Sequence, residues 1–115
     1  MKFNETNEFK KDYKKLSKKF RTLKKDLDTF IKLLKINPRG NSRHFVSLTE
    51  TDVCVVIKAR LFCQSLKGKS LRIVYAYNKS SEEFDLIQID FIEVFFKGDK
   101  AREDKKRIIN YIDSK

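Results

Sequence analysis

Three basic residues stand at alternating positions within two apolar segments of the sequence. Lys58 and Arg60 are two residues apart in VVIKAR, and Arg72 is the second residue of LRIVYAY. Because successive side chains of a β-strand point to opposite faces, the three cations can share one face of a sheet. Arginine binds two phosphate oxygens at once, and lysine adds a point charge. The spacing therefore predicts a positive face that holds a phosphate backbone, although cations that merely solubilise an exposed face would give the same pattern.

The strands that would carry these cations begin at about Phe45, where β-branched and aromatic residues become frequent. We predict strands over residues 45–48, 53–63, 70–78 and 84–95. The alternate apolar residues of the second strand form the core face, and they are Val53, Val55, Ile57, Ala59 and Leu61. Lys58 and Arg60 then lie with Val56 on the opposite face, which we expect the helices to leave uncovered.

An apolar stripe with helical spacing precedes the strands. Its members recur every three or four residues, and they are Phe9, Tyr13, Leu16, Phe20, Leu23, Leu27, Phe30 and Leu34. Arg21 and Thr22 interrupt the stripe, and threonine is a good N-cap, so we predict antiparallel helices over 8–20 and 23–36. Turn-forming residues of the segment 37–42 end the helical region. Isoleucines among charged residues predict a final amphipathic helix within 101–113.

The order of these elements predicts an α+β fold in a single domain of residues 1–115. Two N-terminal antiparallel helices pack on one face of a twisted, mostly antiparallel four- to five-stranded sheet, and a C-terminal helix follows. The predicted core consists of Leu16, Phe20, Leu23, Leu27, Leu34, Ile57, Leu61, Ile73 and Tyr75. If Ile57 and Ile73 faced solvent instead, the cation cluster would be lost as well.

The overall charge favours a polyanionic partner. The chain has 27 lysines and arginines against 16 acidic residues, a formal net charge of +11. Much of the excess lies on the two predicted helices, where Lys14, Lys18 and Lys25 are candidate nucleic-acid-binding residues. A solvated helical face is the alternative explanation for these lysines.

Other features of the sequence limit the possible classes of protein. Residues 1–15 contain no apolar stretch, so we expect neither a signal peptide nor a membrane anchor, and a cytoplasmic protein. Cys54 and Cys63 would lie about 30 Å apart on one strand and should be reduced thiols. Two cysteines and one histidine are too few for a zinc site, so we expect no metal and no cofactor. His44 lies at a border between loop and strand, where a surface role is favoured.

The order helix, helix, sheet and final helix, with VVIKAR, GKSLRIVYAY and FIEVFFKGDK, resembles the RelE/ParE toxin superfamily of type II toxin–antitoxin systems. The resemblance extends over nearly the whole chain, and Leu71 to Tyr77 is its most specific part. It implies a RelE-like fold and a toxin that cleaves messenger RNA in the ribosomal decoding site. It also implies an acidic antitoxin that neutralises the toxin by folding onto it in a hetero-oligomer.

Carried over by position, the resemblance assigns catalytic roles to Lys58, Arg60, Arg72 and Lys97. The implied chemistry is attack of a ribose 2′-hydroxyl on the adjacent phosphate, with no metal required. The two arginines would stabilise the developing charge, Lys58 would act as base, and Lys97 would act as acid or phosphate ligand. Tyr111 is a candidate for the C-terminal stacking residue of some members.

Two alternatives remain open because a fold does not determine an activity. ParE-type members of the superfamily poison DNA gyrase and lack the basic catalytic cluster. A noncatalytic RNA-binding module, in which the helical lysines bind RNA and the sheet only supports them, is the third possibility.

Overall fold

The computed structural model describes residues 1–41, 43–67, 69–78 and 87–115. Its elements in chain order are β1 (Lys2–Glu5), α1 (Asn7–Lys19), α2 (Leu23–Ile36), β2 (Phe45–Glu50), β3 (Cys54–Phe62), β4 (Ser70–Asn78), β5 (Gln88–Phe96) and α3 (Lys105–Asp113). The predicted α+β class is confirmed. No helix in these four ranges is long and apolar enough to cross a membrane.

The strands form one five-stranded sheet in the order β1-β5-β4-β3-β2. β1 pairs parallel with β5, and the other three pairings are antiparallel, so the predicted mostly antiparallel sheet is confirmed. β1 was not predicted from the sequence. It is four residues long, KFNE, and only its pairing with a strand at the other end of the chain makes it a strand.

The first two helices cover one face of the sheet. α1 contacts β5 and α2 contacts β3, and their apolar side chains enclose a core with the odd-numbered residues of β3 and β4. All nine predicted core residues are buried, including Ile57 and Ile73, which confirms the predicted register. The assignment of Val53 to this face was wrong, because β3 begins at Cys54 and Val53 is 46% exposed in the preceding turn.

The opposite face is not uncovered, contrary to expectation. α3 packs there, and its Ile108 joins a second apolar cluster with Val56, Val74 and Ile92. These valines and this isoleucine belong to β3, β4 and β5, so α3 shields the central part of the face. Arg60 and Phe62 remain exposed on this face, at the end of the sheet where β3 and β5 terminate.

Several predicted boundaries shift by a few residues. α1 ends at Lys19, with Phe20 as its C-cap, and α3 begins at Lys105 after the N-cap Asp104, not at 101. The predicted strand 84–95 begins at Gln88 and ends at Phe96, and its residues 84–86 lie outside the described residues. The break between the helices is confirmed, with Thr22 at the N-cap position of α2.

The Thr22 side chain does not cap α2. Its hydroxyl instead donates to the Asp26 carboxylate at 2.7 Å, and Asp26 also accepts the backbone N–H of Gln64 at 3.2 Å. These bonds tie the start of α2 to the segment after β3. At the other end of α2, Gly40 has φ +72°, and a side chain there would overlap the Phe45 ring, which explains the glycine in this turn.

Candidate nucleic-acid interface

A positively charged pocket lies at the end of the sheet where β3 ends, β4 begins and β5 ends. Its volume is about 460 Å³, and it is lined by Arg60, Phe62, Lys69, Ser70, Arg72, Phe96, Lys97 and Gly98. We call it the arginine pocket. Three of the four residues predicted as catalytic, Arg60, Arg72 and Lys97, come together here, while Lys58 does not line the pocket.

Arg60 and Arg72 are direct cross-strand partners on β3 and β4. Like charges placed directly opposite each other destabilise a sheet, so this pair is unfavourable in the free protein. Arg72 Nη1 donates to Ser70 Oγ at 2.7 Å, which orients the guanidinium. Partial burial, and to a lesser extent the charge of Arg60, lower the pKa of Arg72, although arginine stays protonated at neutral pH.

The cations of the arginine pocket have no acidic partners among the described residues. Among the described residues, no ion pair involves Arg60, Arg72, Lys69 or Lys97. Four positive charges therefore surround one cavity, and no described carboxylate pairs with them. Such a site is organised to receive an anion with several oxygen atoms, and a phosphate group matches the fork of an arginine side chain.

Lys58 has a different environment from the other predicted catalytic residues. Its ammonium forms an ion pair with the Glu103 carboxylate at 3.0 Å, just before α3. Burial acts to raise the pKa of Glu103, but its own backbone N–H and Lys58 outweigh that effect and lower it. Glu103 thus stays ionised and holds the Lys58 ammonium in an ion pair, so Lys58 is directed toward Glu103 and not into the arginine pocket.

Two phenylalanines add apolar walls to the arginine pocket. Phe62, the last residue of β3, is 61% exposed, and its ring meets the His44 ring perpendicularly with centroids 5.4 Å apart. The Phe96 ring packs against the Phe20 ring in a T-shaped arrangement, with the ring centroids 5.7 Å apart. A side chain at Gly98 would overlap the Phe96 ring, so glycine keeps this wall accessible.

Sequence reasoning missed Phe62, Lys69, Ser70, Phe96 and Gly98 as pocket residues. A signal for Phe62 was present, because it continues the alternation of Lys58 and Arg60 on the same face of β3. The other four depend on which strand ends meet, and no local pattern gives that.

The predicted nucleic-acid-binding lysines are exposed but lie on another side of the molecule. Lys14 and Lys18 belong to α1 and Lys25 belongs to α2, the helices that cover the sheet face opposite the two arginines. None of the three enters an ion pair within the described residues. None of these three lysines lines the arginine pocket.

Two other candidates have positions that differ from their predicted roles. His44 is half-buried rather than on the surface, with its backbone oxygen accepting the N–H of Arg60 at 3.1 Å. The Tyr111 hydroxyl donates to Asp90, and the Lys115 ammonium lies over the Tyr111 ring, 4.9 Å from its centroid, so a face of this ring is already occupied. Over the described part of the chain, no three side chains of His, Cys, Asp or Glu converge as metal ligands. Cys54 and Cys63 are free and buried at opposite ends of β3.

Comparisons with protein-family models, with curated proteins and with solved structures found no match for this chain.

Proposed function

We propose that this chain is a RelE/ParE-type toxin that binds messenger RNA in the arginine pocket and cleaves it on the ribosome without a metal ion. In this proposal the toxin acts in the cytoplasm, has a RelE-like arrangement of helices and sheet, and is neutralised by an acidic antitoxin. The observation that carries the proposal is the Arg60–Arg72 pair, two adjacent guanidinium groups without a carboxylate partner among the described residues. A phosphodiester would supply the missing negative charge.

The proposed reaction is attack of a ribose 2′-hydroxyl on the adjacent phosphorus. The bond to the 5′-oxygen of the next nucleotide breaks, leaving a 2′,3′-cyclic phosphate. Arg60 and Arg72 stabilise the charge that develops on the phosphate oxygens, which is the largest contribution that such a site makes. The proton of the 2′-hydroxyl passes to solvent water, and the ammonium of Lys69 or Lys97, which both line the pocket, donates a proton to the leaving 5′-oxygen. Lys58 forms an ion pair with Glu103 and does not line the pocket, so it is not assigned as the base.

One observation favours a noncatalytic RNA-binding module as the second candidate. The described lining of the arginine pocket contains no carboxylate and no imidazole, the side chains most often used for general acid–base catalysis. In that case the protein would block translation and leave the message uncut. The gyrase-directed alternative has no comparable observation in its favour.

The first prediction concerns Arg72. Replacing it with alanine removes an oriented phosphate contact, so single-turnover cleavage of messenger RNA on saturating ribosomes should fall about a hundredfold. The thermal unfolding midpoint should not fall, because Arg72 contributes charge repulsion rather than core packing. Arg39→Ala is the matched control, because Arg39 lies over Tyr77 near the other end of β4 and its loss removes the same charge.

Three results would distinguish the candidates. If Arg72→Ala cleaves bound message as fast as the parent protein, the catalytic proposal is wrong. If the parent protein stops translation and the message stays intact, the noncatalytic module is supported. If the parent protein inhibits DNA supercoiling by gyrase and leaves translation unaffected, the gyrase-directed alternative is supported instead.

A further inference from the structure

We infer that Phe62 is a stacking platform for one base of a single-stranded RNA, while Arg60 and Arg72 hold the adjacent phosphate. This inference rests on the proposed function. It adds that the arginine pocket accepts single-stranded RNA and that Phe62 is the residue that selects it.

The exposure of Phe62 is the first observation. It is the last residue of β3 and 61% exposed, whereas Phe9, Phe30 and Phe91 are buried in the core. Its cross-strand partner is Ser70, which is too small to cover the ring. His44 contacts it on one side, with ring planes at 90°, and limits the rotation of the side chain. The ring is therefore held in place while much of its surface faces solvent.

The position of Phe62 relative to the cations is the second observation. Arg60 precedes it by two residues on the same face of β3, a separation of about 6.6 Å, and Arg72 stands directly opposite Arg60. One nucleotide can therefore stack its base on the Phe62 ring and place its phosphate at the guanidinium groups of Arg60 and Arg72. The cavity of about 460 Å³ lies within the size range of small-ligand pockets, roughly 300–1,000 Å³.

These two observations favour a single strand over a duplex. In an A-form duplex the bases are already stacked within the helix, so an aromatic side chain cannot reach their faces. An unpaired base exposes its face, and stacking on an aromatic ring depends little on which base is present. The four cations around the pocket also favour a nucleic acid over an apolar protein segment as the occupant.

The test uses a property of the whole chain, which contains no tryptophan. Phe62→Trp places the one tryptophan of the variant at the proposed platform, where its fluorescence can be excited selectively over that of the tyrosines. It is titrated with a short 2′-O-methyl oligoribonucleotide, which cannot undergo attack by its 2′-oxygen, and with an abasic oligomer of equal length and charge. Stacking should quench the fluorescence to saturation with the oligomer that has bases and leave it nearly unchanged with the abasic oligomer.

Two sets of variants make the result specific. Ile109→Trp is the control fluorophore, because Ile109 is 56% exposed on α3 outside the arginine pocket, and it should not be quenched. Phe62→Ala should bind the oligomer with bases on the order of tenfold more weakly and bind the abasic oligomer as before. Phe62→Tyr retains a ring and should restore the affinity. Unfolding curves of each variant check that the fold is kept.

The outcomes separate this inference from the proposed function. If both oligomers bind, as measured by anisotropy, and the Phe62→Trp signal changes equally or not at all, the stacking inference is wrong while phosphate binding stands. If a duplex of the same sequence quenches as strongly as the single strand, the inference is also wrong. If neither oligomer binds at low salt, both the stacking inference and the proposed function fail.

Discussion

Asp90 is a buried carboxylate that holds together parts of the chain far apart in sequence. It lies on β5, and its donors are the side chains of Asn4, Asn78, Gln88, Tyr111 and Lys115. Burial acts to raise the pKa of Asp90, but the hydrogen bonds, that of Tyr111 foremost, outweigh it and lower the pKa to about 2. The ionised form is thus the one that the fold requires.

This pKa leads to a prediction about acid stability. Because the folded-state pKa lies below the ordinary value of 3.8, the ionised carboxylate stabilises the fold above about pH 4. That contribution, about 2 kcal/mol, should be lost as the pH falls from 4 to 2. Urea unfolding across this range should show a smaller pH dependence for Asp90→Asn than for the parent protein. Asp52→Asn, at an exposed turn residue, is the control and should behave like the parent.

Arg60 allows a prediction in which stability and function change in opposite directions. Its side chain faces Arg72 directly, so Arg60→Gln should raise the free energy of unfolding by about 0.5 kcal/mol at low salt. The difference should shrink at 1 M salt, where charges on the surface are screened. RNA affinity should fall in the same variant. Equal stability of the two proteins at low salt would mean that the arginines do not repel each other.

α3 is held on the sheet by charged contacts at its beginning and along its first turn. Arg107 donates to the Asp12 carboxylate of α1 and to the backbone oxygen of Ile92 at 3.1 Å. Glu93, fully buried on β5, accepts the backbone N–H of Asp104 at 2.9 Å and forms an ion pair with Lys100. These contacts explain why an otherwise weakly apolar helix stays on this face.

Arg107 therefore provides a test of how α3 is attached. Arg107→Leu leaves Asp12 without its charged partner, and removing one member of a largely buried pair should cost about 2 kcal/mol. Backbone amides of residues 105–113 should exchange hydrogen faster, while those of β4 should be less affected. Lys106→Leu changes an exposed neighbour and is the matched control. Unchanged exchange in α3 after loss of Arg107 would show that this arginine is not needed to hold the helix on the sheet.

Two surfaces formed by described residues are rich in positive charge, the arginine pocket and the lysines of α1 and α2. With a net charge of +11, the protein should attract an acidic partner over a long range. We therefore expect the association rate with the proposed antitoxin, measured by stopped flow, to decrease as the salt concentration rises. Identical rates at low and high salt would exclude electrostatic steering.

The sequence by itself determined the features that depend on local periodicity. The spacing of Leu16 to Leu34 predicted the buried faces of α1 and α2, and the alternation around Ile57 and Ile73 predicted the sheet register. The shared face of Arg60 and Arg72 followed from the same alternation. These features were predictable because backbone geometry repeats every 3.6 residues in a helix and every two in a strand.

Only the tertiary structure decided which distant segments meet. The pairing of β1 with β5 and the ion pair between Lys58 and Glu103, 45 residues apart, leave no periodic signal in the sequence. The same is true of the position of α3, which covers the face expected to be open, and of the strand ends that form the arginine pocket around Phe62. Such contacts depend on how the elements pack together, and that packing minimises the free energy of the whole chain rather than of any one segment.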